Sequence, residues 1–105
     1  MKTLAGKDLK QYLREYPQSI LIDLRPRQAF LTSHIRGAVN VPYSSLERMK
    51  RRLPADRVLI FYCERGGSAM AAAHQLAEEG LQTVAVIGAY EDISRLTETV
   101  SGFNI

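Results

Sequence analysis

Apolar residues fall in short blocks along this chain, and the spacing inside each block sets the element it predicts. In DLKQYLREY, Leu9, Tyr12, Leu13 and Tyr16 recur at helical spacing, and Pro17 closes the segment. SILIDL (19–24) is an apolar run without alternation, as expected of a strand buried on both faces. RPRQAFLTSHI predicts a short helix with Pro26 near its first turn. GAVNVP gives a brief strand between Gly37 and Pro42, and YSSLERMKRRL a further helix capped by Ser44 or Ser45.

RVLIFY (57–62) is the clearest strand. SAMAAAHQLAEEG follows as a helix, with Met70, Ala73 and Ala77 on one face and Gly80 as its stop. TVAVIG (83–88) is another buried strand, and YEDISRLTETV a last helix. Strands alternating with helices at this spacing predict a parallel sheet covered on both faces, a three-layer α/β domain. There are no repeats, low-complexity stretches or linkers, so residues 1–105 are expected to form one domain.

In open parallel sheets, ligands sit outside the carboxyl ends of the strands. Asp23, Cys63 and Gly88 fall at such ends. Cys63 is the only cysteine in the chain, and it stands between a buried strand and a helix start. An ordinary thiol, with a pKa of about 8.5, is only roughly 3% thiolate at pH 7. A preference of roughly 2.7 kcal/mol for the anion makes it mostly thiolate. Gly66 and Gly67 allow a tight loop whose N–H groups turn inward as an anion nest. Hydrogen bonds from such groups to an anion contribute about 1.5–3 kcal/mol each. The helix starting near Ser68 adds its positive pole, worth about 0.3–1 kcal/mol and up to about 2 when partly buried. Strand, loop and helix together predict an electropositive bowl around one sulfur, fit to hold a thiolate or persulfide and to receive an anionic sulfur donor. A lone buried cysteine is commonly inert; the flanking glycines and helix start favour a functional thiol.

Bulk properties narrow the field. The composition, 46% hydrophobic and 24% charged, is that of an ordinary soluble domain. Fourteen basic against eleven acidic residues give a net charge of +3. The basic residues do not gather on one helix with interleaved aromatics, so no nucleic-acid partner is expected. ERMKRRLP reads as a solvated helix end. One cysteine makes no internal disulfide, so no oxidising compartment is required. MKTLAGKDLK lacks the apolar core of a signal peptide, and no run approaches about 18 apolar residues, so the expected location is the cytoplasm, without membrane contact. One cysteine and two scattered histidines lack metal-ligand spacing. No residue suggests a cofactor, and ERGGSA matches neither G-x-x-x-x-G-K nor G-x-G-x-x-G. Neither His34 nor His74 is expected to hydrogen-bond Cys63.

The chain resembles a single-domain rhodanese over nearly its whole length. LIDLRPRQAFLTSHIRGAVNVP is similar to the family's first signature, with Asp23, Arg25, Phe30, His34, Ile35, Gly37, Ala38, Asn40 and Pro42 at its positions. IFYCERGGSAMAAAHQLAEEGL resembles the second, and VAVIGAYEDI the closing strand with its Gly-rich turn. The resemblance implies a central, mostly parallel five-stranded sheet with helices on both faces. It implies sulfur transfer: Cys63 as nucleophile, a persulfide intermediate, and ping-pong kinetics. The donor would be thiosulfate or a similar small anion. The acceptor would be cyanide, a low-molecular-weight thiol or a thioredoxin-like protein. The loop of Glu64, Arg65, Gly66, Gly67 and Ser68 would hold the transferred sulfur, with Asp23 and Arg25 as an ion pair bracing it.

The chain departs from the family pattern in places. Ser68 stands where many members carry arginine, Gly88-Ala89 replaces a Gly-Gly pair, and the last helix lacks a tryptophan. Arg65 either compensates at the entrance or is a solvated loop charge. Glu64 is expected to point outward. A phosphatase or arsenate reductase of related fold needs a larger loop closed by an arginine that grips the anion with two parallel hydrogen bonds, and Ser68 and Ala69 do not supply it. A non-catalytic module that binds a partner or senses redox state through Cys63 stays open as the alternative.

Overall fold

The computed structural model describes residues 1–102. The expected domain of 1–105 therefore ends three positions beyond the described residues. Its strands are β1 (Lys2–Ala5), β2 (Ile20–Asp23), β3 (His34–Ile35), β4 (Val39–Asn40), β5 (Leu59–Tyr62), β6 (Thr83–Ile87) and β7 (Thr99–Val100). Its helices are α1 (Leu9–Glu15), α2 (Arg27–Thr32), α3 (Leu46–Met49), α4 (Gly67–Glu78) and α5 (Tyr90–Leu96). Five strands form one sheet in the order β1-β6-β5-β2-β4, and every pairing in it is parallel. β3 and β7 make a separate antiparallel pair.

The expected three-layer architecture is present, and the strands show why. Successive side chains on a strand point to opposite faces. Ile60 and Tyr62 of β5 enter one core with Leu9, Tyr12, Phe30 and Ile93. Leu59, Phe61 and Cys63 enter the other with Leu46, Ala69, Ala72 and Leu76. The central strand is thus apolar at every position because it has no solvent face. Among the described residues, no helix is long and apolar enough to cross a membrane.

Several boundaries differ from the sequence expectations. β1 was not predicted: it lies at the sheet edge with three of its four residues exposed, so it carries no apolar signal. The helix expected over YEDISRLTETV stops at Leu96, and Thr99–Val100 pairs instead with His34–Ile35, which the sequence placed at the end of the preceding helix. YSSLERMKRRL is a 3₁₀ turn, a single α-helical turn and another 3₁₀ turn; Leu46 alone of these is buried, so packing gives little support for a longer helix. Neither Ser44 nor Ser45 caps it: the capping position is Ser45, and its side chain makes no capping bond. On α4 the buried face is Ala69, Ala72, Ala73 and Leu76, while Met70 is exposed. Alanines on all sides of this helix leave its phase undetermined from the pattern.

The Tyr62 hydroxyl ties β5 to β3, accepting a hydrogen bond from the Ile35 backbone N–H at 3.0 Å. Both residues are buried. Tyr62→Phe strands that N–H and is expected to cost about 1–3 kcal/mol, measured by urea unfolding. An unchanged midpoint would show that the bond contributes nothing.

Candidate active site

β5 runs through the middle of the sheet and delivers Cys63 at its carboxyl end, only 4% exposed. The chain then turns sharply into α4. Gly66, just before the helix, has φ +100°, a conformation L side chains rarely adopt. A Cβ there would stand 3.5 Å from the backbone N and O of Gly88, so the turn after β6 packs directly on the loop. That turn also clamps the loop: the Tyr90 N–H donates to the Glu64 carbonyl at 2.9 Å. The result aims two backbone donors at one sulfur. Gly66 N–H donates to Cys63 Sγ at 2.9 Å and Ala69 N–H at 3.3 Å. The sulfur thus accepts two hydrogen bonds from the main chain.

A cleft of about 520 Å³ opens over Cys63. Its walls include Arg25, Arg27, Ser44, Ser45, Glu64 and Ser68, from the segments that follow the carboxyl ends of β2, β4 and β5. Of the loop residues named from the sequence, Glu64 and Ser68 line the cleft and Gly66 supplies a donor to the sulfur. Gly67 opens α4 without positive φ, and a Cβ added there would meet nothing within 4 Å, so the loop geometry rests on Gly66. Arg65 is exposed and does not line the cleft; the arginine that does so besides Arg25 is Arg27, which no motif in the sequence marks. Ser44 and Ser45, read as helix caps, are cleft residues instead. The rule that ligands gather at strand ends applies equally to β4 and was the available signal for them.

Behind the cleft lies a buried polar frame. Asp23 Oδ1 accepts from the Arg25 backbone N–H at 2.8 Å, and Oδ2 stands 3.5 Å from the Arg25 guanidinium. That guanidinium donates to the Ala29 and Ser33 carbonyls at 2.7–3.0 Å and lies 3.7 Å over the Tyr90 ring. Tyr90 in turn stacks on Tyr62 and shares a 2.7 Å hydrogen bond with the Ser33 hydroxyl. Asn40 joins β4 to this frame by donating to the Asp23 and Arg25 carbonyls at 3.0 and 2.9 Å. The expected ion pair is therefore one part of a larger brace, and Tyr90 is a member the sequence did not flag. Glu64 is 60% exposed, yet it leans back: its Oε1 is 3.4 Å from Arg25 Nε. His34 is buried, with Nδ1 at 2.8 Å from the Phe30 carbonyl, and His74 is exposed near Glu78; neither hydrogen-bonds Cys63 among the described residues.

A family model described as the rhodanese-like domain matches residues 6–96. The chain belongs to the rhodanese-like domain family. Curated relatives include a thiosulfate sulfurtransferase GlpE of Pseudomonas syringae, 33% identical over 95 residues that cover 88% of this chain and 89% of that protein. The Bacillus subtilis protein YqhL is 32% identical over 76% of this chain, which spans only 61% of that protein's length. A crystal structure of a rhodanese-related protein from Thermoplasma volcanium matches with a TM-score of 0.82 at 23% identity, over 95% of this chain and 98% of that one. A rhodanese-like domain from Anabaena matches with a TM-score of 0.83 at 21% identity, over 96% of this chain and 80% of that one. The two structures bear on the fold alone. In this rhodanese-like chain the strand-loop-helix unit around Cys63 lies at the floor of the cleft, with two backbone N–H groups on the sulfur.

The loop and its frame make separate predictions. Gly66→Ala forces a side chain into a positive-φ position and is expected to cost about 1–3 kcal/mol in urea unfolding. Gly67→Ala in the first turn of α4 is expected to be neutral or to stabilise by up to about 1 kcal/mol. Equal effects at the two positions would contradict the assignment of the turn to Gly66. In the frame, burial raises the Asp23 carboxyl above its ordinary 3.8; the Tyr62 hydroxyl, Arg25 and His34 oppose burial without cancelling it. Just above pH 3.8, the native protein keeps a proton that the unfolded chain has lost. The Asp23 contribution is thus present at low pH and is lost as pH rises through its raised folded value. The stability of wild type minus that of Asp23→Asn is expected to fall across this interval; a difference that grows with pH would contradict it.

Proposed function

We propose that this protein is a sulfurtransferase that carries sulfane sulfur as a persulfide on Cys63. The observation that carries the reading is the pair of N–H donors on Cys63 Sγ at the floor of an open cleft. Several relatives named thiosulfate sulfurtransferase support it, at 30–33% identity over 88% of the chain for two of them.

In the first half-reaction the Cys63 thiolate attacks the outer sulfur of thiosulfate. The new bond forms from Sγ as the old sulfur–sulfur bond breaks, and sulfite leaves with the electron pair. The product persulfide is an anion one atom longer, reaching into the bowl made by the loop of Glu64, Gly66 and Ser68 and the start of α4. In the second half-reaction an acceptor thiolate, or cyanide, attacks the outer sulfur and Cys63 leaves as thiolate. Backbone N–H groups of the loop stabilise the negative charge on the attacking sulfur and on the persulfide that replaces it. Asp23, Arg25 and Tyr90 hold the loop rather than touch the reacting atoms. Ser68 leaves the cleft without the arginine many family members have there, and Arg27 supplies a cation on its wall.

Incubation with thiosulfate is expected to add the mass of one sulfur atom to the intact protein. Cyanide is expected to remove it, and Cys63→Ser to abolish the gain. A thiol that alkylates readily but takes no sulfur from any small donor would overturn the reading and leave a partner-binding or redox-sensing module.

A further inference from the structure

The residue next to the nucleophile carries the wrong charge for an anion site. Glu64 lines the same cleft as Cys63 and Ser68. Its position is fixed at two points: its carbonyl oxygen accepts from Tyr90 N–H at 2.9 Å, and its carboxylate rests 3.4 Å from Arg25 Nε. The Arg25 side chain is only 3% exposed, and its terminal nitrogens are engaged by Ala29, Ser33 and Asp23. Nε is the part left without a hydrogen bond, and Glu64 Oε1 lies in front of it. The carboxylate therefore offsets the charge of the inner arginine, and among the lining residues it is the acidic group beside the path of a donor to the sulfur. Arg27 on the same wall carries the opposite sign, so Glu64 biases the choice of donor without closing the cleft.

We propose that Glu64 is a specificity-determining residue that selects sulfur donors by charge, disfavouring dianions such as thiosulfate relative to monoanionic donors such as thiosulfonates. This rests on the sulfur-transfer reading above. The chemistry is the same for both donors. With methanethiosulfonate the Cys63 thiolate attacks the outer sulfur, the Sγ–S bond forms, and methanesulfinate leaves with the electron pair. The donors differ by one unit of charge, so the carboxylate acts on them unequally. At about 6 Å in a near-aqueous dielectric, Coulomb's law makes one fixed charge worth about threefold in rate per unit of donor charge. Salt screens that factor.

The test compares wild type with Glu64→Gln, an uncharged side chain of the same size at an exposed position. Cys63 is the only thiol, so intact mass reports its modification without ambiguity. Alkylation by anionic iodoacetate is measured against neutral iodoacetamide, and persulfide loading by thiosulfate against methanethiosulfonate. Glu64→Gln is expected to raise both ratios about threefold at low salt, with less gain at high salt. Unchanged ratios, even with altered absolute rates, would assign Glu64 a purely structural role and overturn the proposal. So would a fall in either ratio. A rise in the alkylation ratio with no sulfur loaded by either protein would leave the charge effect at the thiol standing, and overturn donor selection together with the sulfur-transfer reading.

Discussion

The contact between the Gly66 N–H and the Cys63 sulfur, with the Ala69 N–H beside it, organises the rest of this site. Backbone donors cannot be aimed by choosing a side chain; the main chain itself must be bent and held. The bend requires a positive φ at Gly66, and the hold comes from the Gly88–Tyr90 turn pressed against the loop. Both depend on β5 and β6 being adjacent, parallel and in register, so that their carboxyl ends open on the same edge. The sheet is in this sense what sets the angle of two N–H bonds. Because the donors are already in place, a sulfur anion formed there meets its hydrogen bonds without reorganisation of the loop.

The polar frame behind the loop carries a different burden. Asp23, Arg25, Tyr62 and Tyr90 are buried among apolar neighbours, where a polar group without partners is costly. They meet that cost largely through one another and through backbone carbonyls, and they link β2, α2, β3, β5 and α5 in doing so. Burial with Asp23 alongside holds the Tyr62 phenol far above its ordinary value, so it stays a neutral hydroxyl that can accept from Ile35. Arg25 is the member with two sides: its inner edge is bound into the frame, and its outer nitrogen faces Glu64 at the cleft. Through that contact the frame reaches the electrostatics of the site as well as its shape.

What the sequence disclosed followed from burial. β2, β5 and β6 are legible because strands packed on both faces must be apolar throughout, and Cys63 is legible because it ends such a strand. β1 is not, because an edge strand with exposed side chains satisfies its backbone through pairing alone. The phase of α4 is hidden by alanine on every face. Two adjacent glycines look alike in a sequence, whereas only Gly66 takes positive φ. Arg27 and Arg65 likewise differ only in where the fold turns them, one into the cleft lining and one outside it. The family pattern covered Cys63 and its loop; the contacts of Glu64 with Arg25, and of Arg25 with Tyr90, arise between segments that no local spacing connects.

Sulfur transfer on this backbone stands or falls on where a transferred sulfur resides. A crystal structure of the thiosulfate-treated protein at a resolution that separates sulfur positions measures this directly. The expected result is a second sulfur bonded to Cys63 Sγ, lying within the loop and accepting hydrogen bonds from backbone N–H groups between Glu64 and Ala69. A sulfur that projects from the loop into solvent, or a loop that must unfold from Gly66 to admit it, would contradict the claim that this backbone is built to hold it.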